Sequence, residues 1–405
     1  MDPQRIAVIG AGTAGLATAI LLARRGHTIT LIEKAPALEA VGAGLLLQPS
    51  GIDVLNELGC LEGIQSCGRR IDGLTGKNAT GRRVMAVRYA ELGDSPAPFG
   101  LGVHRAALCH VLDTTLAQEP HSRWLGCEVI DIRDHQGAAV IQWRADGVVD
   151  ESDFDAVIVA NGSASQLRPR SLVRLDRQYP WGAMWLIRPI TRDLEGFDAP
   201  MLQQRYDGAS VMLGVVPSGC LPDWESTPLM SLLWSLPVAD MAQWQAGTVD
   251  LAAWRAQVTA LWPELEPLVD TIHEPSELLP ATYRDVILKQ WGKSRIGVIG
   301  DAAHAMSPQL GQGANMALLD ARALAQAMDE SDSWQSVWQG FARRRQAAIR
   351  FYQRMSRLLT PFFQSRIPAA GAFRDVALPL AHRIPWVRRQ MARTVAGHKQ
   401  GWLRD

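Results

Sequence analysis

The chain predicts an α/β protein. It combines a Rossmann-like dinucleotide-binding domain assembled from non-contiguous pieces, an inserted and mostly antiparallel β-sheet domain, and a set of C-terminal helices. Three observations carry this. Ile6-Ala7-Val8-Ile9 runs directly into Gly10-Ala11-Gly12-Thr13-Ala14-Gly15 and then into a helical stretch. Two further buried-strand runs, Ala156 to Ala160 and Ile296 to Ile299, end in Asn161-Gly162 and Gly300-Asp301. Between them, from about Tyr179 to Pro280, apolar and polar residues alternate in Trp181 to Arg188 and Ser210 to Val216, which is the two-residue period of a half-covered sheet.

The first run is a parallel strand by composition. Gly10 permits the tight turn, Gly12 lets the backbone approach a pyrophosphate, and Gly15 lets the next helix pack closely on the sheet. Leu16 to Arg25 continues without a helix breaker, so the free amides and positive end of that helix face the turn and form an anion site. After Gly26, Thr28 to Ile32 reads as a second strand ending at Glu33, where a carboxylate accepts hydrogen bonds from an adenosine ribose. Further helices are predicted over Ser50 to Leu58 and from Arg105, with strands around Arg82 to Tyr89, Glu128 to Ile132 and Ala138 to Arg144.

The third run adds a flavin to the dinucleotide. A carboxylate at the strand end, Asp301, can bind ribityl hydroxyls. Gly311-Gln312-Gly313-Ala314-Asn315 then opens a long helix, Met316 to Met328, whose first amides would face the flavin edge where negative charge collects on reduction. The three segments in this order specify FAD.

With Val41-Gly42-Ala43-Gly44, and Arg105 ahead of Leu108, the chain resembles the single-component FAD-dependent aromatic hydroxylases of the para-hydroxybenzoate and salicylate hydroxylase type, from the N-terminus to about Met328. The resemblance implies that NAD(P)H reduces FAD, that O2 is captured as a C4a-hydroperoxide, and that one oxygen passes to an aromatic or polycyclic small molecule, most simply as a hydroxyl. It places Arg105 at the FAD pyrophosphate, Asp301 at the ribityl chain, Pro308 beside the reactive edge, and Gly42 to Gln48 along the flavin ring. The expected cofactor-binding residues are Gly10, Gly12, Ala14, Gly15, Glu33, Lys34, Gly44, Arg105, Asp301, Pro308, Gly311, Gly313, Ala314 and Asn315. Pro308, His304 and Gly311 are the flavin-adjacent candidates for a catalytic role, although His304 reads better as support for the FAD loop, and no general base stands out. Where the family carries Asp-Gly this chain has Asn161-Gly162, so the handling of the pyridine nucleotide is the part expected to depart from the family.

Other uses of the same fold are a Baeyer–Villiger oxygenase, another flavin oxidoreductase, or a non-catalytic protein that binds a planar ligand. A flavin-dependent halogenase is disfavoured by the lack of a Trp-x-Trp-x-Ile-Pro segment. For the substrate chamber, Trp181, Trp185, Tyr206, Met212, Trp234 and Tyr283 are the candidate walls, with core packing as the competing use of each. Arg188 and Arg205 could meet a substrate carboxylate, but read more simply as solvated strand residues.

The nucleotide domain is expected over 1–75, 100–175 and 281–340, the substrate domain over 76–99 and 176–280, and basic helices over 341–405. A hydrophobic content of 47% with 20% charged residues fits a water-exposed enzyme surface. The five cysteines show no CxxC and no metal spacing, so buried thiols in a reducing, cytoplasmic setting are expected, with no metal. No secretory leader, membrane-length apolar run or nucleic-acid partner is expected. The formal charge is zero, yet Phe341 to Asp405 holds fourteen Lys or Arg against Asp375 and Asp405. That end should dock on an acidic body through a stripe of Phe351, Tyr352, Leu358, Leu359, Phe362 and Phe363. An acidic carrier protein or an anionic membrane, near Trp386 and Trp402, is the alternative.

Overall fold

The computed structural model describes residues 1–38, 43–221 and 227–402. Its first layer is a six-stranded sheet in the order Gly292–Lys293, Ile296–Val298, Ala156–Val159, Arg5–Ile9, Thr28–Ile32 and His121–Trp124. All pairs are parallel except the edge pair Gly292–Lys293 with Ile296–Val298. The three runs singled out above are therefore neighbours, paired Ile6 to Ala156 and Val157 to Ile296. Ile6, Ala7, Val8, Ala156, Val157, Ile158 and Val159 are fully buried, which accounts for their continuous apolar character. The helix Thr13–Ala23 is buried from Ala14 to Ala23 and packs on the helices Arg105–Leu116 and Gly313–Asp329.

Two small antiparallel sheets flank this layer. One is the meander Glu128–His135, Ala138–Ala145 and Val148–Phe154. It is held by Trp124, whose ring centroid lies 5.6 Å from that of Trp143. The other joins Gly44–Leu47, Gly100–His104 and Arg69–Ile71.

The second layer is a seven-stranded sheet, ordered Leu279–Leu288, Val173–Pro189, Leu229–Pro237, Val211–Pro217, Leu202–Asp207, Gly73–Asn78 and Arg83–Arg88. Every pair is antiparallel except Leu202–Asp207 with Gly73–Asn78. The expected boundaries at residues 75, 175 and 280 each fall inside one of these strands. The antiparallel layer thus takes in 73–88, 173–237 and 279–288. The chain passes between layers along single strands, with no composition break to mark the crossing.

The C-terminal helices are Trp334–Phe363, Pro368–Ala381 and Pro385–Ala396, so the first begins before residue 341. They dock on the body. Arg345 pairs with Asp320, Arg357 with Asp285, and Arg388 lies 3.6 Å from Glu91. Of the expected stripe, Phe351, Tyr352 and Phe363 are buried and Leu359 and Phe362 partly so, whereas Leu358 points to solvent. Phe373, Val376, Leu380, Ile384 and Trp386 are also exposed. No helix among the described residues is long and apolar enough to cross a membrane.

Asp285 is fully buried and held by Arg357 on the long helix, with Arg177 at 3.5 Å as its second cation. Removing one partner of a buried pair leaves a poorly compensated charge. Arg357→Ala should therefore lower unfolding free energy by about 3 kcal/mol, read from urea midpoints at unchanged denaturant slope.

Candidate active site

The carboxyl ends of the parallel strands open into one cavity of about 760 Å³, bounded on its far side by the seven-stranded sheet. That is toward the upper end of the roughly 300–1,000 Å³ range of ligand pockets. Its walls explain why the glycines stand where they do. Gly10 has φ +102, and a Cβ there would lie 2.7 Å from the Ala160 carbonyl oxygen and the Asn161 Cα of the adjacent strand end. A Cβ on Gly15 would sit 1.8 Å from the Gly10 carbonyl oxygen, so the helix Thr13–Ala23 could not come as close to the turn.

Two helices present uncapped N-termini at this cavity. Thr13–Ala23 starts from Gly12 and Gly313–Asp329 from Gln312; neither has a side-chain cap or an acid in its first turn. Their first amides need acceptors, and Gly12, Thr13, Gly313 and Ala314 all line the space. Glu33 lines it too, its carboxylate fixed by the amides of Ala11 at 2.9 Å and Ala35 at 3.0 Å. A cavity lined by two uncapped helix starts, the Glu33 carboxylate and Asp301 has the donor and acceptor set of a flavin dinucleotide. The residues fit FAD.

Among the expected cofactor residues, the cavity brings together Gly10, Gly12, Ala14, Glu33, Lys34, Gly44, Arg105, Asp301, Pro308, Gly311, Gly313 and Ala314, with Asn161 and Gly162 beside them. Gly15 and Asn315 stand behind the wall. Asn315 is fully buried; it accepts from the Gln48 amide at 2.7 Å and donates to the carbonyls of Leu46 and Gly311. It staples the helix start to the strand Gly44–Leu47 and does not face the cavity. Val41 and Gly42 lie outside the described residues.

His304 is not beside the cavity. It is buried in the short helix Asp301–His304, and its Nε2 lies 2.6 Å from Asp320 Oδ2. Asp320 also accepts from the Gly300 amide and from Arg345 Nε at 2.7 Å. Burial pushes the Asp320 carboxyl up, but attraction and hydrogen bonds from His304 and Arg345 reverse this and hold it at about 2. The cluster locks the Gly300–Asp301 turn to two helices.

Of the candidate chamber walls, Trp185 and Met212 line the cavity; Trp181, Tyr206, Trp234 and Tyr283 do not. Strand alternation explains the outcome. Trp185, Leu202, Gln204, Met212, Val216 and Leu233 share the cavity face, while Met184, Leu186, Leu213, Leu232 and Trp234 pack on the opposite face under the helices Val238–Gln245 and Leu251–Leu261. Trp234 meets Trp254 edge-on at 6.0 Å. Tyr206 shares the Gln204 face, but its ring is covered by Phe363 at 5.2 Å and by the Arg374 guanidinium at 4.4 Å. Trp181 is buried within Val173–Pro189, and Tyr283 lies on Leu279–Leu288.

Sequence reasoning missed Arg168. Buried between two motif turns, it donates to the carbonyls of Gly162, Ser163, Ser165 and Ala302 and pairs with Asp176 at 2.9 Å. It ties the Asn161-Gly162 turn to the Gly300–Asp301 turn. Its bonds to Gly162, Ser163 and Ser165 are local, but nothing in the sequence around Pro169 marks the reach to Ala302. Gln204 and Gln309 were missed as well, because polar side chains in a cavity wall look like any surface amide in sequence.

The family described as FAD binding domain matches residues 4–333. A 3-amino-4-hydroxybenzoate 2-monooxygenase from Streptomyces cremeus is 30% identical over 351 residues, covering 80% of this chain and 78% of that one. The chain belongs to the FAD-dependent aromatic hydroxylase family. Within it, a 6-hydroxynicotinate 3-monooxygenase from Bordetella bronchiseptica is 28% identical over 336 residues, 81% of this chain and 83% of the relative. The tetrameric form of 2-methyl-3-hydroxypyridine-5-carboxylic acid oxygenase superposes with a TM-score of 0.72, covering 94% of this chain and 98% of that one at 24% identity, which is a likeness of fold. This aromatic hydroxylase is thus an FAD-dependent monooxygenase.

Two outcomes follow for the hydroxylase. Gly15→Ala, which must push the helix off the Gly10 turn, should yield protein with most of its FAD lost, read as the 450 nm to 280 nm absorbance ratio after gel filtration. Asp320 titrates lower in the folded state than its ordinary 3.8. Its contribution to stability is therefore complete above about pH 4 and lost as the pH falls toward 2. Wild-type thermal midpoints should fall across that window, and those of Asp320→Asn should start lower and fall less.

Proposed function

We propose that this flavoprotein uses NAD(P)H and O2 to hydroxylate a small aromatic or polycyclic molecule. The observation that carries the reading is the single cavity with two unlike walls: uncapped helix amides and fixed carboxylates on one side, an apolar sheet face on the other. The two relatives named above are monooxygenases whose names specify hydroxylated aromatic rings, which supports the same class here.

Bound FAD supplies the electron transfer and oxygen activation. The turn Gly10, Gly12 and Ala14 with the start of the helix Thr13–Ala23 would hold the pyrophosphate, joined by Arg105, and Glu33 would hold the adenosine ribose. Asp301 would accept from ribityl hydroxyls, while the amides of Gly313 and Ala314 would meet the pyrimidine edge of the flavin. Lys34, Gly44 and Gly311, which also line the cavity, would complete that cradle, and Pro308 would border the reacting edge. Asn161, in place of the family's Asp, offers an amide where pyridine nucleotide and flavin share space. Trp185, Met212, Leu202, Val216 and Leu233 exclude water from the ring to be oxygenated, which limits loss of reducing equivalents to solvent reactions. No His or Tyr lines the cavity among the described residues; the Tyr206 phenol reaches it through Gln204.

Arg105→Ala removes a charge-assisted contact of about 1.5–3 kcal/mol. It should weaken FAD retention roughly ten- to a hundred-fold, measured by fluorescence titration of the apoprotein. The reaction class is tested by supplying 18-O2. Coenzyme consumption that rises with an aromatic substrate, and one 18-O atom in the product, is the expected result. A flavin that NAD(P)H never bleaches, with or without ring compounds, defeats the reading.

A further inference from the structure

We propose that the ring taken by this site is uncharged and presents a carbonyl-type acceptor, and that aromatic carboxylates are excluded. This rests on the monooxygenase reading above and narrows its substrate class. The sheet side of the cavity contributes Trp185, Leu202, Gln204, Met212, Val216 and Leu233, none of them charged. The charged lining residues are Glu33, Lys34, Arg105, Glu128 and Asp301, and all stand on the nucleotide side, away from the seven-stranded sheet.

The two arginines that could have met a carboxylate are committed elsewhere. Arg188 pairs with Glu277 and donates to the Ile187 carbonyl. Arg205, one residue out of phase with Gln204, lies on the other face with its guanidinium 4.3 Å above the Trp262 ring. Arg374 sits behind the Tyr206 ring and is paired with Asp375. Of the stretches outside the described residues, 39–42 and 222–226 contain no Lys, Arg or His, and 403–405 contains Arg404. A carboxylate entering the apolar half would shed its water and gain no cation among the described residues, whereas a neutral ring would lose little.

Two amides then define what the ring offers. Tyr206 Oη donates to Gln204 Oε1 at 2.6 Å, which turns Gln204 Nε2 toward Met212 Sδ at 3.7 Å, a weak acceptor. That donor is poorly used by the protein and suits a ring carbonyl. Gln309 is arranged the other way: its Nε2 donates to Gln364 Oε1 at 2.9 Å, and no described residue donates to its own Oε1. A flat ring with a C=O and an N–H or O–H carries the complement of both amides, as a ring lactam does. Tyr206 acts here as a positioning residue, since it orients Gln204 without touching the ligand.

The test is calorimetry on the FAD-loaded protein at pH 7.5 with 2(1H)-quinolinone, the same ring carrying a 4-carboxylate, and naphthalene as a shape control. The lactam should bind at least about ten-fold tighter than the carboxylate. Gln204→Leu should remove most of the lactam's advantage over naphthalene while leaving naphthalene binding in place, which a general disruption of the pocket would not do. Gln204→Arg should bring the carboxylate level with the lactam or above it. Equal or tighter carboxylate binding in the wild type overturns the proposal, as does failure of all three rings to bind. None of these titrations needs reductant or oxygen. A protein that binds the lactam but incorporates no 18-O would therefore fail the reaction reading and leave this one intact.

Discussion

The parallel register that sets Ile6 against Ala156 and Val157 against Ile296 is the constraint on which the rest of the molecule depends. It brings three turns, separated by long stretches of chain, to the same end of one sheet. Every later feature follows from that. Gly10 must lack a side chain because Ala160 and Asn161 arrive beside it. Arg168 can bridge two turns only because their strands are neighbours. The helix Gly313–Asp329 meets the cavity because the third strand delivers the chain to that edge.

The molecule keeps its charges where they serve assembly and leaves the sheet face of the cavity without them. Asp320 gathers His304, Arg345 and the Gly300 amide in a fully buried cluster behind the cofactor wall. Asp285 does the same for the long C-terminal helix. Pairs of this kind add little net stability, but breaking one is costly, so they fix which arrangement forms. The excess of arginines in the tail is partly absorbed in this way. The outer helices also expose apolar residues, Phe373, Val376, Leu380, Ile384 and Trp386, beside exposed Arg383 and Arg389.

What could be read from the sequence divides along a physical line. The nucleotide turn, the acid at Glu33 and the helix opening at Gly313 were legible because backbone sterics and helix termini act over a few residues. The alternating strands were legible for the same reason, but their phase was not. Trp185 and Trp234 carry the same local pattern, and only the packing of helices against one face sends the second into the core. His304 was a flavin-adjacent candidate by motif position but read better as support for the FAD loop, and a short helix turns it inward to a partner sixteen residues on. Arg168 bonds nearby carbonyls, but its bridge to Ala302 spans 134 residues and leaves no local mark; Gln204 is oriented by Tyr206 two residues on, and only the packing of the sheet decides that their face meets the cavity.

Because the dinucleotide cavity is walled by pieces drawn from Ile9 to Ala317, occupancy would cross-link most of the polypeptide. Each wall segment must be in its native place for the others to hold the ligand. By mass action the apparent resistance to unfolding then grows with the logarithm of free flavin. Cellular abundance of this protein is in that way tied to flavin supply as well as to its own synthesis.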